Sequence, residues 1–392
     1  MKVLLYTHAF APKVGGVETI VMSLATGLAT QDREGPILVT LATATPRGDF
    51  DDSSLPFRVV RQPGLLQLLR LIRAADVVHL AGPCFLPMTL SLLYQKPVVV
   101  EHHGFQAICP NGQLLYEPTR TPCPGHFMAG RYGKCVRCNA RNSLLRSVSS
   151  WLLTFPRRWI CAHVSSNVMP VQWLSIVLGL PRATTIYHGL PALAGPNLPA
   201  AVSSPPTVAF MGRLVSTKGV AVLLRAASRL KTKGLSFAVK IIGDGPQRAQ
   251  LEAQTQVLGL AERVTFLGYQ PDAKLREVLS DVGTIVMPSL GGEVFGLVAA
   301  ENMMRGLLPI VSAGGALAEV VGDTGLTFPP GDDEALAGCL ERVLRSPDFE
   351  NRERLRARER AMTQFVASRM VEEHVALYQS LVMNGQGACQ KS

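Results

Sequence analysis

The sequence predicts an α/β protein made of two doubly wound, Rossmann-like domains that face a central cleft. Three observations favour this class: 392 residues exceed one typical core, short apolar runs alternate with helical stretches, and the alternation stops once and then restarts. Hydrophobic residues make up 47% of the chain and charged residues 17%, which is too apolar for disorder. No apolar run reaches the roughly 18 residues that span a bilayer. We therefore expect two globular domains.

The first alternating series predicts a first domain over residues 1–190. Apolar runs without internal alternation are typical of buried parallel strands. They occur at residues 2–7, 37–41, 77–81 and 98–100. After the first run, apolar residues recur at the spacing of an amphipathic helix, at Val17, Ile20, Val21, Leu24 and Leu28. Strand, helix and strand thus follow each other as βα units.

A stretch rich in Pro, Ser and Gly, residues 191–206, predicts a linker. The second domain is expected over residues 207–363. Its strands are predicted at residues 207–211, 238–242, 264–267, 284–287 and 309–311. Two open parallel sheets would each present loops at the carboxyl ends of their strands, where ligands bind in such folds.

The formal net charge of +10 is unevenly distributed, because no acidic residue occurs between Glu117 and Asp244. A surface of one sign attracts phosphates on lipids, nucleic acids or small substrates. Within 144–159, basic residues alternate with apolar ones, as in helices that lie on anionic membranes, although core packing gives the same pattern. No nucleic-acid-binding module is recognisable. The N-terminus leads directly into a strand, so we expect a cytoplasmic protein, peripheral at the inner face of the membrane.

Four glycine-containing loops follow predicted strands and precede predicted helices. Gly15 and Gly16 follow the first strand of the chain. Arg213 and Lys218 follow the first strand of the second domain, where a guanidinium fork and an ammonium group together neutralise a diphosphate. Gly243 follows the next strand. Any one of these loops could be a plain turn, but four at strand ends indicate a binding site.

The fourth loop places two carboxylates, Glu293 and Glu301, on either side of a glycine-containing turn. We expect a helix to begin near Phe295, so that backbone N–H groups of its first turn face a phosphate. That first turn comprises Phe295, Gly296, Leu297 and Val298. One of the two carboxylates would then meet a sugar while the other meets a ribose some distance away. The alternative is an ordinary turn with solvated glutamates.

These motifs, in this order, resemble the retaining glycosyltransferases of family 4, which have the GT-B fold. The resemblance covers almost the entire chain. The motifs are Pro12-Lys-Val-Gly-Gly-Val-Glu18, Gly212-Arg-Leu with Lys218-Gly219, Gly243-Asp-Gly-Pro246, and Glu293 with Glu301. The resemblance implies transfer of a sugar from a nucleotide-sugar donor to a glycan or lipid-linked acceptor, with retained configuration and no catalytic metal. It also implies that the last helix, about residues 364–383, packs back on the first domain.

The resemblance assigns a role to each matching position. Arg213 and Lys218 hold the diphosphate, Glu301 holds the ribose, Glu293 lies near the sugar, and Gly16 lies near the donor phosphates. His103, after the strand 98–100, resembles the family histidine beside the reacting sugar. His103 and Glu293 are therefore the candidate catalytic residues, whereas the role of His102 stays open.

A cysteine-rich insertion at about residues 105–142 departs from the common family core. Its cysteines are Cys109, Cys123, Cys135 and Cys138. Cys135 and Cys138 have the two-residue gap of a zinc knuckle, but Cys109 and Cys123 do not complete a second one. A structural zinc ion, a redox-active thiol pair and simple packing are all open, and His126 is a possible substitute ligand.

Two further positions differ from the family pattern. His188-Gly189 replaces a common Asn-Gly, and Val294 occupies the position of a glycine between Glu293 and the helix. Val294 is expected to alter the sugar pocket, because a side chain replaces bare backbone. The predicted function is a metal-independent retaining glycosyltransferase. The alternatives are a GT-B-like epimerase or phosphorylase, or a non-catalytic docking protein of the same fold.

Overall fold

The computed structural model describes residues 1–31, 35–139, 143–191 and 205–389, without the side chains of residues 385–389. The predicted linker therefore lies almost wholly outside the described residues. The strands are β1 Lys2–Thr7, β2 Leu38–Thr43, β3 Arg58–Arg61, β4 Val77–Ala81, β5 Val98–Glu101, β6 Leu115–Tyr116, β7 Thr121–Pro122, β8 Ser166–Met169, β9 Ala183–Thr185, β10 Thr207–Met211, β11 Ala238–Ile242, β12 Val264–Gly268, β13 Val282–Met287, β14 Leu308–Ser312 and β15 Leu326–Phe328. The helices are α1 Gly16–Thr30, α2 Leu65–Ala74, α3 Phe85–Leu93, α4 Tyr132–Asn139, α5 Leu144–Cys161, α6 Gln172–Leu178, α7 Val220–Thr232, α8 Arg248–Val257, α9 Asp272–Val278, α10 Leu297–Met304, α11 Ala316–Val321, α12 Asp333–Arg345, α13 Pro347–Gln364 and α14 Ala367–Cys389.

The chain forms two compact units. The first unit comprises Met1–Gln113, Gly125–Pro191 and Gln364–Ser392, and the second comprises Leu114–Pro124 and Ala192–Thr363. The predicted insertion is therefore divided, because residues 114–124 group with the second unit although the sequence placed all of 105–142 in the first domain. Within the described part of the chain, no helix combines the length and the apolar character needed to cross a membrane.

The first unit is built on a seven-stranded sheet in the order β3-β2-β1-β4-β5-β8-β9. All of its strand pairs are parallel. Its central strands are apolar at nearly every position, because helices on both faces exclude water from them. Residues 98–100 of β5, for example, are completely buried. The carboxyl ends of β1, β4 and β5 consequently meet at one edge of the sheet.

The C-terminal helix belongs to the first unit, although it follows the second unit in the chain. Val366 forms an isolated parallel bridge with Leu190. Leu190 N donates to Phe365 O (2.8 Å), and Ala367 N donates to Leu190 O (2.9 Å). Tyr378, in the middle of α14, is completely buried. This bridge fixes the start of α14 against the end of the first-unit chain.

The second unit contains a six-stranded parallel sheet in the order β12-β11-β10-β13-β14-β15. One face of the sheet packs on an apolar cluster in which α7 and α12 supply many of the helical members, and the other face carries a smaller cluster that includes Leu275 of α9. The short antiparallel pair β6–β7 also belongs to this unit. The two doubly wound parallel sheets confirm the predicted fold class.

Helix α5 differs from the other helices because its large apolar side chains are exposed. Its buried residues are small or polar, namely Ser147, Thr154 and Cys161. The exposed apolar side chains are Leu144, Leu145, Leu152, Leu153, Phe155 and Trp159. A helix buries its apolar stripe against the core in most soluble domains, so this helix presents an unusual apolar surface. We refer to these six side chains as the α5 surface.

Candidate active site

The loops that follow β10 and β11 are joined by backbone hydrogen bonds. Gly212 N donates to Ile242 O (3.0 Å), and Gly243 N donates to Gly268 O (2.8 Å). Since β10, β11 and β12 are parallel neighbours, these loops lie together at the carboxyl edge of the sheet. The predicted donor residues Arg213 and Gly243 therefore belong to one continuous backbone surface.

The loops after β10 and β13 meet at Gly219. This glycine has a φ of +66°, and a Cβ there would collide with the carbonyl oxygen of Pro288. Leu290 N donates to Thr217 O (2.8 Å), which fixes the same two loops a few residues away. Only glycine allows both the left-handed conformation and this close approach. Gly219 thus brings Lys218 next to the loop that carries Glu293.

Lys218 and Glu293 form an ion pair in the second unit. Lys218 Nζ lies 2.5 Å from Glu293 Oε1, and Ser289 Oγ donates to the same oxygen (2.9 Å). The backbone of Ser289 is held in turn, because Ser312 Oγ donates to Ser289 O (2.6 Å). Arg213 is exposed, and it takes part in no ion pair given for the described residues. The carboxyl edge of the second sheet therefore carries the exposed guanidinium of Arg213 and the ammonium group of Lys218, which is paired with Glu293.

Helix α10 begins at Leu297, two residues later than the sequence predicted. Gly296 caps the helix with a φ of +97°, outside the helical region, and a Cβ there would collide with Leu317. Phe295 precedes the cap and is only 2% exposed. The predicted first turn from Phe295 is therefore wrong, and its N–H groups start at Leu297 and Val298. These N–H groups form the positive end of the helix dipole.

Glu301 lies one turn inside α10 and has a partner that the sequence did not suggest. Its carboxylate is 3.9 Å from Arg305 Nη1, four residues later, and its side chain is 29% exposed. Burial raises the pKa of Glu301, Arg305 lowers it, and the carboxylate of Asp272 raises it further. A partly exposed acidic group with a raised pKa is a candidate for a functional site.

In the first unit, three imidazoles surround the buried carboxylate of Glu101. His79 Nε2 is 3.2 Å and His103 Nε2 is 3.3 Å from Glu101 Oε2, while His188 Nε2 is 3.3 Å from Oε1. The rings of His103 and His188 stack with centroids 5.1 Å apart. His188, which replaces the common family asparagine, therefore supports the ring of His103. We call these residues the Glu101 cluster, together with His374 and Tyr378, which contact the ring of His79.

The three imidazoles around Glu101 determine its ionisation state. Burial by itself raises the pKa of Glu101, but the charge of His103 and hydrogen bonds from His103, His188 and His79 bring the pKa well below its usual value. Glu101 is therefore a carboxylate at neutral pH. A buried negative charge of this kind fixes the orientation of the imidazoles around it.

His102 points away from the Glu101 cluster. Its Nε2 lies 2.9 Å from Asn167 Oδ1, while Asn167 Nδ2 donates to the carbonyls of Cys161 and Pro181. Because that amide oxygen only accepts, His102 must carry its proton on Nε2. Burial lowers the pKa of His102 to about 4, so the ring is neutral. These contacts give His102 a structural role.

Gly15 and Gly16 lie where β1 leads into α1. Gly15 is the N-cap, in an extended conformation, and Gly16 is the first helical residue. The first turn carries an acidic residue, Glu18. A phosphate at this helix end would meet both free N–H groups and the Glu18 carboxylate, so Glu18 would have to turn away.

The cysteines of the insertion lie in different units. Cys109, Cys135 and Cys138 are buried in the first unit, and Cys123 belongs to the second. Cys109 Sγ lies 2.9 Å from Asn111 Oδ1, and Asn111 Nδ2 lies 3.4 Å from Cys138 Sγ. In the described part of the chain, the groups of three or more side chains with metal-ligand spacing contain no cysteine. The zinc site at these cysteines stays a prediction.

Sequence reasoning missed several residues that complete these sites. They are His79, Ser289, Arg305, His374 and Tyr378, while Glu101 was recognised only as a strand-end neighbour of His103. For Arg305, the four-residue spacing from Glu301 on a predicted helix was an available signal. Glu101 directly follows a predicted strand and could have been identified by the same rule as His103. His374 and Tyr378 gave no local signal.

Comparison of the sequence with known proteins finds similarity to glycosyltransferases. Residues 199–362 match the family described as "Glycosyl transferases group 1". A 2-deoxystreptamine glucosyltransferase of Streptomyces kanamyceticus is 34% identical over 36% of this chain and 37% of its own length. A glycogen synthase of Mycobacterium tuberculosis is 26% identical over 93% of this chain and 91% of its own. A phosphatidyl-myo-inositol mannosyltransferase of Mycobacterium leprae is 29% identical over 54% and 57%, respectively.

Solved structures share the fold over the whole chain. Sucrose-phosphate synthase from Thermosynechococcus elongatus superimposes with a TM-score of 0.71 and 20% identity, over 98% of this chain and 99% of its own. Anabaena HepE in complex with UDP gives a TM-score of 0.69 and 17% identity, over 97% and 100%. The chain spans less than two thirds of some sequence relatives and nearly all of others.

Proposed function

We propose that this chain, a GT-B glycosyltransferase whose second unit carries the group 1 domain, is a retaining, metal-independent enzyme of family 4. It moves a sugar from a nucleotide-diphosphate sugar to a lipid-linked or polysaccharide acceptor. The observation that carries the proposal is the Lys218–Glu293 pair beside the exposed Arg213, at the carboxyl edge of the second sheet. The UDP complex of a protein with the same fold supports a nucleotide-sugar donor.

The proposed chemistry depends on fixed positive charge. As the bond between sugar and diphosphate breaks, negative charge grows on the departing phosphate. Arg213, Lys218 and the N–H groups at the start of α10 stabilise this charge more strongly in the transition state than in the ground state. The departing phosphate takes the proton of the acceptor hydroxyl on the same face of the sugar, so the configuration is retained. These groups take the role that a divalent cation has in other transferases.

The carboxylates have different partners in this proposal. Glu301 accepts hydrogen bonds from the ribose hydroxyls, and Glu293 contacts the sugar once the diphosphate draws Lys218 away from it. His103 donates to a sugar hydroxyl, and Glu101 holds its ring in place. Val294, which is half-buried beside Glu293, narrows the space for the sugar. Donor preference is therefore expected to respond to Val294→Gly.

A donor screen tests the proposal directly. The full-length protein is incubated with UDP-, GDP- and ADP-sugars, and binding and slow hydrolysis are followed by mass spectrometry. We expect one nucleotide class to bind and to be hydrolysed, and Lys218→Ala to abolish both. Arg229→Ala is the matched control, since Arg229 lies on α7 and pairs with Asp333. Absence of binding to every donor would refute the proposal, and an altered sugar released without acceptor would indicate an epimerase.

We also propose that the acceptor is reached at an anionic membrane surface, at the cytoplasmic face. The α5 surface supports this, because Leu145 is 84% and Trp159 is 64% exposed on a helix that also carries the exposed Arg146. Apolar side chains enter the lipid interface while arginines meet the headgroups. The phosphatidyl-myo-inositol mannosyltransferase among the relatives is consistent with a lipid-linked acceptor.

Sedimentation with vesicles tests this surface. Binding to vesicles that contain anionic lipid should fall as salt rises, because exposed charges are screened within about 10 Å at 0.1 M salt. Leu145→Asp should weaken binding roughly tenfold, since it removes apolar burial and adds repulsion. Val257→Asp, at an 86% exposed position on α8, is the control and should bind normally. Equal loss in both variants, or no vesicle binding, would contradict the proposal.

A further inference from the structure

Three side chains of the Glu101 cluster come together from three different elements of the first unit. His79 lies on β4, Glu101 ends β5, and His374 lies on α14. One ligand atom from each side chain lies within 4.8 Å of those of the other two. The three residues are at most 1% exposed. Because all three side chains are buried, this group differs from the clusters of acidic side chains that are common on protein surfaces.

The hydrogen bonds of His374 define which of its nitrogens is available. Its Nδ1 lies 2.8 Å from the carbonyl oxygen of Met370. A carbonyl only accepts, so Nδ1 carries the proton and Nε2 presents a lone pair. Nε2 is buried and has no hydrogen-bond partner among the described residues. A buried lone pair without a donor is rare in folded proteins and calls for an explanation.

His79 is oriented in a similar way. Its Nδ1 lies 2.8 Å from the hydroxyl of Tyr378, and its Nε2 lies 3.2 Å from Glu101 Oε2. One ring nitrogen thus bonds an outer group while the other points at the carboxylate. A metal ion would replace the proton that His79 Nε2 shares with Glu101, and the outer hydrogen bond to Tyr378 would fix the tautomer and the ring plane, as in metal-binding histidines.

The spacing and the chemistry of the three groups agree with a metal site. Two ligands that each bind a tetrahedral zinc ion at 2.0–2.1 Å lie about 3.3 Å from one another, close to the 3.2 Å between His79 Nε2 and Glu101 Oε2. Two neutral imidazoles and one carboxylate are a common ligand set for zinc in sites where a non-protein ligand completes the fourth position. A hydrogen bond explains the contact between His79 Nε2 and Glu101 Oε2, but it leaves His374 Nε2 without a partner among the described residues.

The overlapping group of Glu101, His103 and His188 is the weaker candidate. It also meets the spacing for a metal ion. His103, however, is less buried than the other members, and it is the histidine for which we propose a role at the sugar. A metal bound at His103 would occupy the nitrogen needed there.

We propose that His79, Glu101 and His374 bind a zinc-type divalent ion with a structural role. The ion would join α14 to β4 and β5, so it would complete the first unit. It would neutralise the buried charge of Glu101 and give His374 Nε2 its partner. This inference does not depend on the proposed transferase activity. It also names a metal site separate from the predicted cysteine site.

Metal analysis of the purified full-length protein tests the inference. We expect about one equivalent of zinc that is lost in His374→Gln and kept in Cys135→Ser. His163→Gln is the matched control, because His163 makes the same bond to the carbonyl four residues earlier but is exposed. That variant should keep the metal. Two equivalents, one lost in each of His374→Gln and Cys135→Ser, would support both metal sites. Protein without zinc, or zinc lost only in Cys135→Ser, would overturn the inference.

Two measurements keep the test valid if His374→Gln does not fold. The wild-type protein, depleted with a chelator and reloaded with Co²⁺, should show visible ligand-field bands without the thiolate charge-transfer bands that cysteine ligands give. Zinc should also raise the unfolding temperature of the wild-type protein relative to chelator. Thiolate bands alone, or unfolding that is unaffected by chelator, would contradict the assignment to His79, Glu101 and His374.

Discussion

The two units place charged side chains at the carboxyl edges of their sheets in opposite ways. In the first unit, Glu101 is completely buried, and three imidazoles lie within 3.3 Å of its oxygens. In the second unit, the Lys218 side chain is 28% exposed and that of Glu293 is 11% exposed, while Arg213 is open to solvent. One edge satisfies its charges internally, and the other leaves them accessible.

This difference suits the two units to different tasks: the buried charge of the first unit orients side chains, and the accessible charges of the second unit bind a ligand. A buried charge that lost its partners would be strongly destabilising, so the Glu101 cluster is held in a single arrangement. The Lys218–Glu293 pair is partly exposed, so Lys218 exchanges Glu293 for a phosphate at a smaller cost than a completely buried pair would require. Substitutions in the Glu101 cluster should therefore affect stability as well as turnover, whereas removal of the Arg213 or Lys218 side chain should affect mainly turnover.

The largest expected effect is a loss of turnover when the cationic side chain of Arg213 or Lys218 is removed from the second unit. Arg213→Ala and Lys218→Ala should each lower kcat about 10²–10³-fold, as expected for loss of a group that stabilises developing charge. Steady-state kinetics with the donor found in the screen measures this. The urea unfolding transition should stay unchanged. Near-normal kinetics would show that the diphosphate binds elsewhere.

The adjacent histidines His102 and His103 test the first unit. His103→Ala should lower kcat roughly 10²-fold, because the sugar loses its proposed contact. His102→Ala leaves Asn167 Oδ1 without its donor and should lower the free energy of unfolding by about 1–3 kcal/mol. All three tryptophans, Trp151, Trp159 and Trp173, lie in the first unit, so their fluorescence follows its unfolding. If His102→Ala reduced only turnover, the division between these histidines would be wrong.

Gly219 and Gly234 form a matched pair in the second unit. Both have positive φ, 66° and 72°, but only a Cβ at Gly219 meets backbone, whereas nothing lies within 4 Å at Gly234. Gly234→Ala should cost about 1–2 kcal/mol from the left-handed conformation alone. Gly219→Ala should cost about 2–5 kcal/mol, because strain from overpacking is added. Circular dichroism in urea should shift while tryptophan fluorescence does not, and equal shifts for both variants would refute the steric argument.

The smallest expected effect is the pH dependence of donor binding. Because burial raises the pKa of Glu301, its carboxyl group protonates at a higher pH than an ordinary glutamate. The protonated form is a poorer acceptor for ribose hydroxyls. Donor affinity should therefore fall as the pH drops through this raised pKa, by up to about tenfold per pH unit. Calorimetric titration measures the fall, which should disappear in Glu301→Gln.

The sequence predicted the central strands well because their signals are local. The bounds of β1, β4, β10 and β11 match the predicted runs, since each is an apolar segment between turn residues. The unpredicted strands β3, β6, β7, β8, β9 and β15 are short, and several carry polar residues. Edge strands such as β3 and β9 bury less of their surface and so need fewer apolar residues.

The site residues likewise divide into those that a local sequence pattern indicates and those that only the fold brings together. Arg213, Lys218 and Glu293 were predictable, because strand-end glycines and charges occur within a few residues of each other. The start of α10 was not, because Gly296 has a left-handed conformation and lies against Leu317, a contact that the local sequence does not indicate. The partners of Glu101 come from separate strands and from α14, so no local pattern connects them.

The hydrogen bond between Tyr378 and His79 joins residues 299 positions apart. At about 5–20 residues per second, a ribosome needs about 15–60 s to synthesise the intervening chain. During that interval the second unit is completed, while the first unit still lacks the helix that covers His79. The nascent first unit therefore exposes part of its core, the kind of surface that chaperones bind, until the last segment of the chain is translated. That segment, α14, then completes the unit.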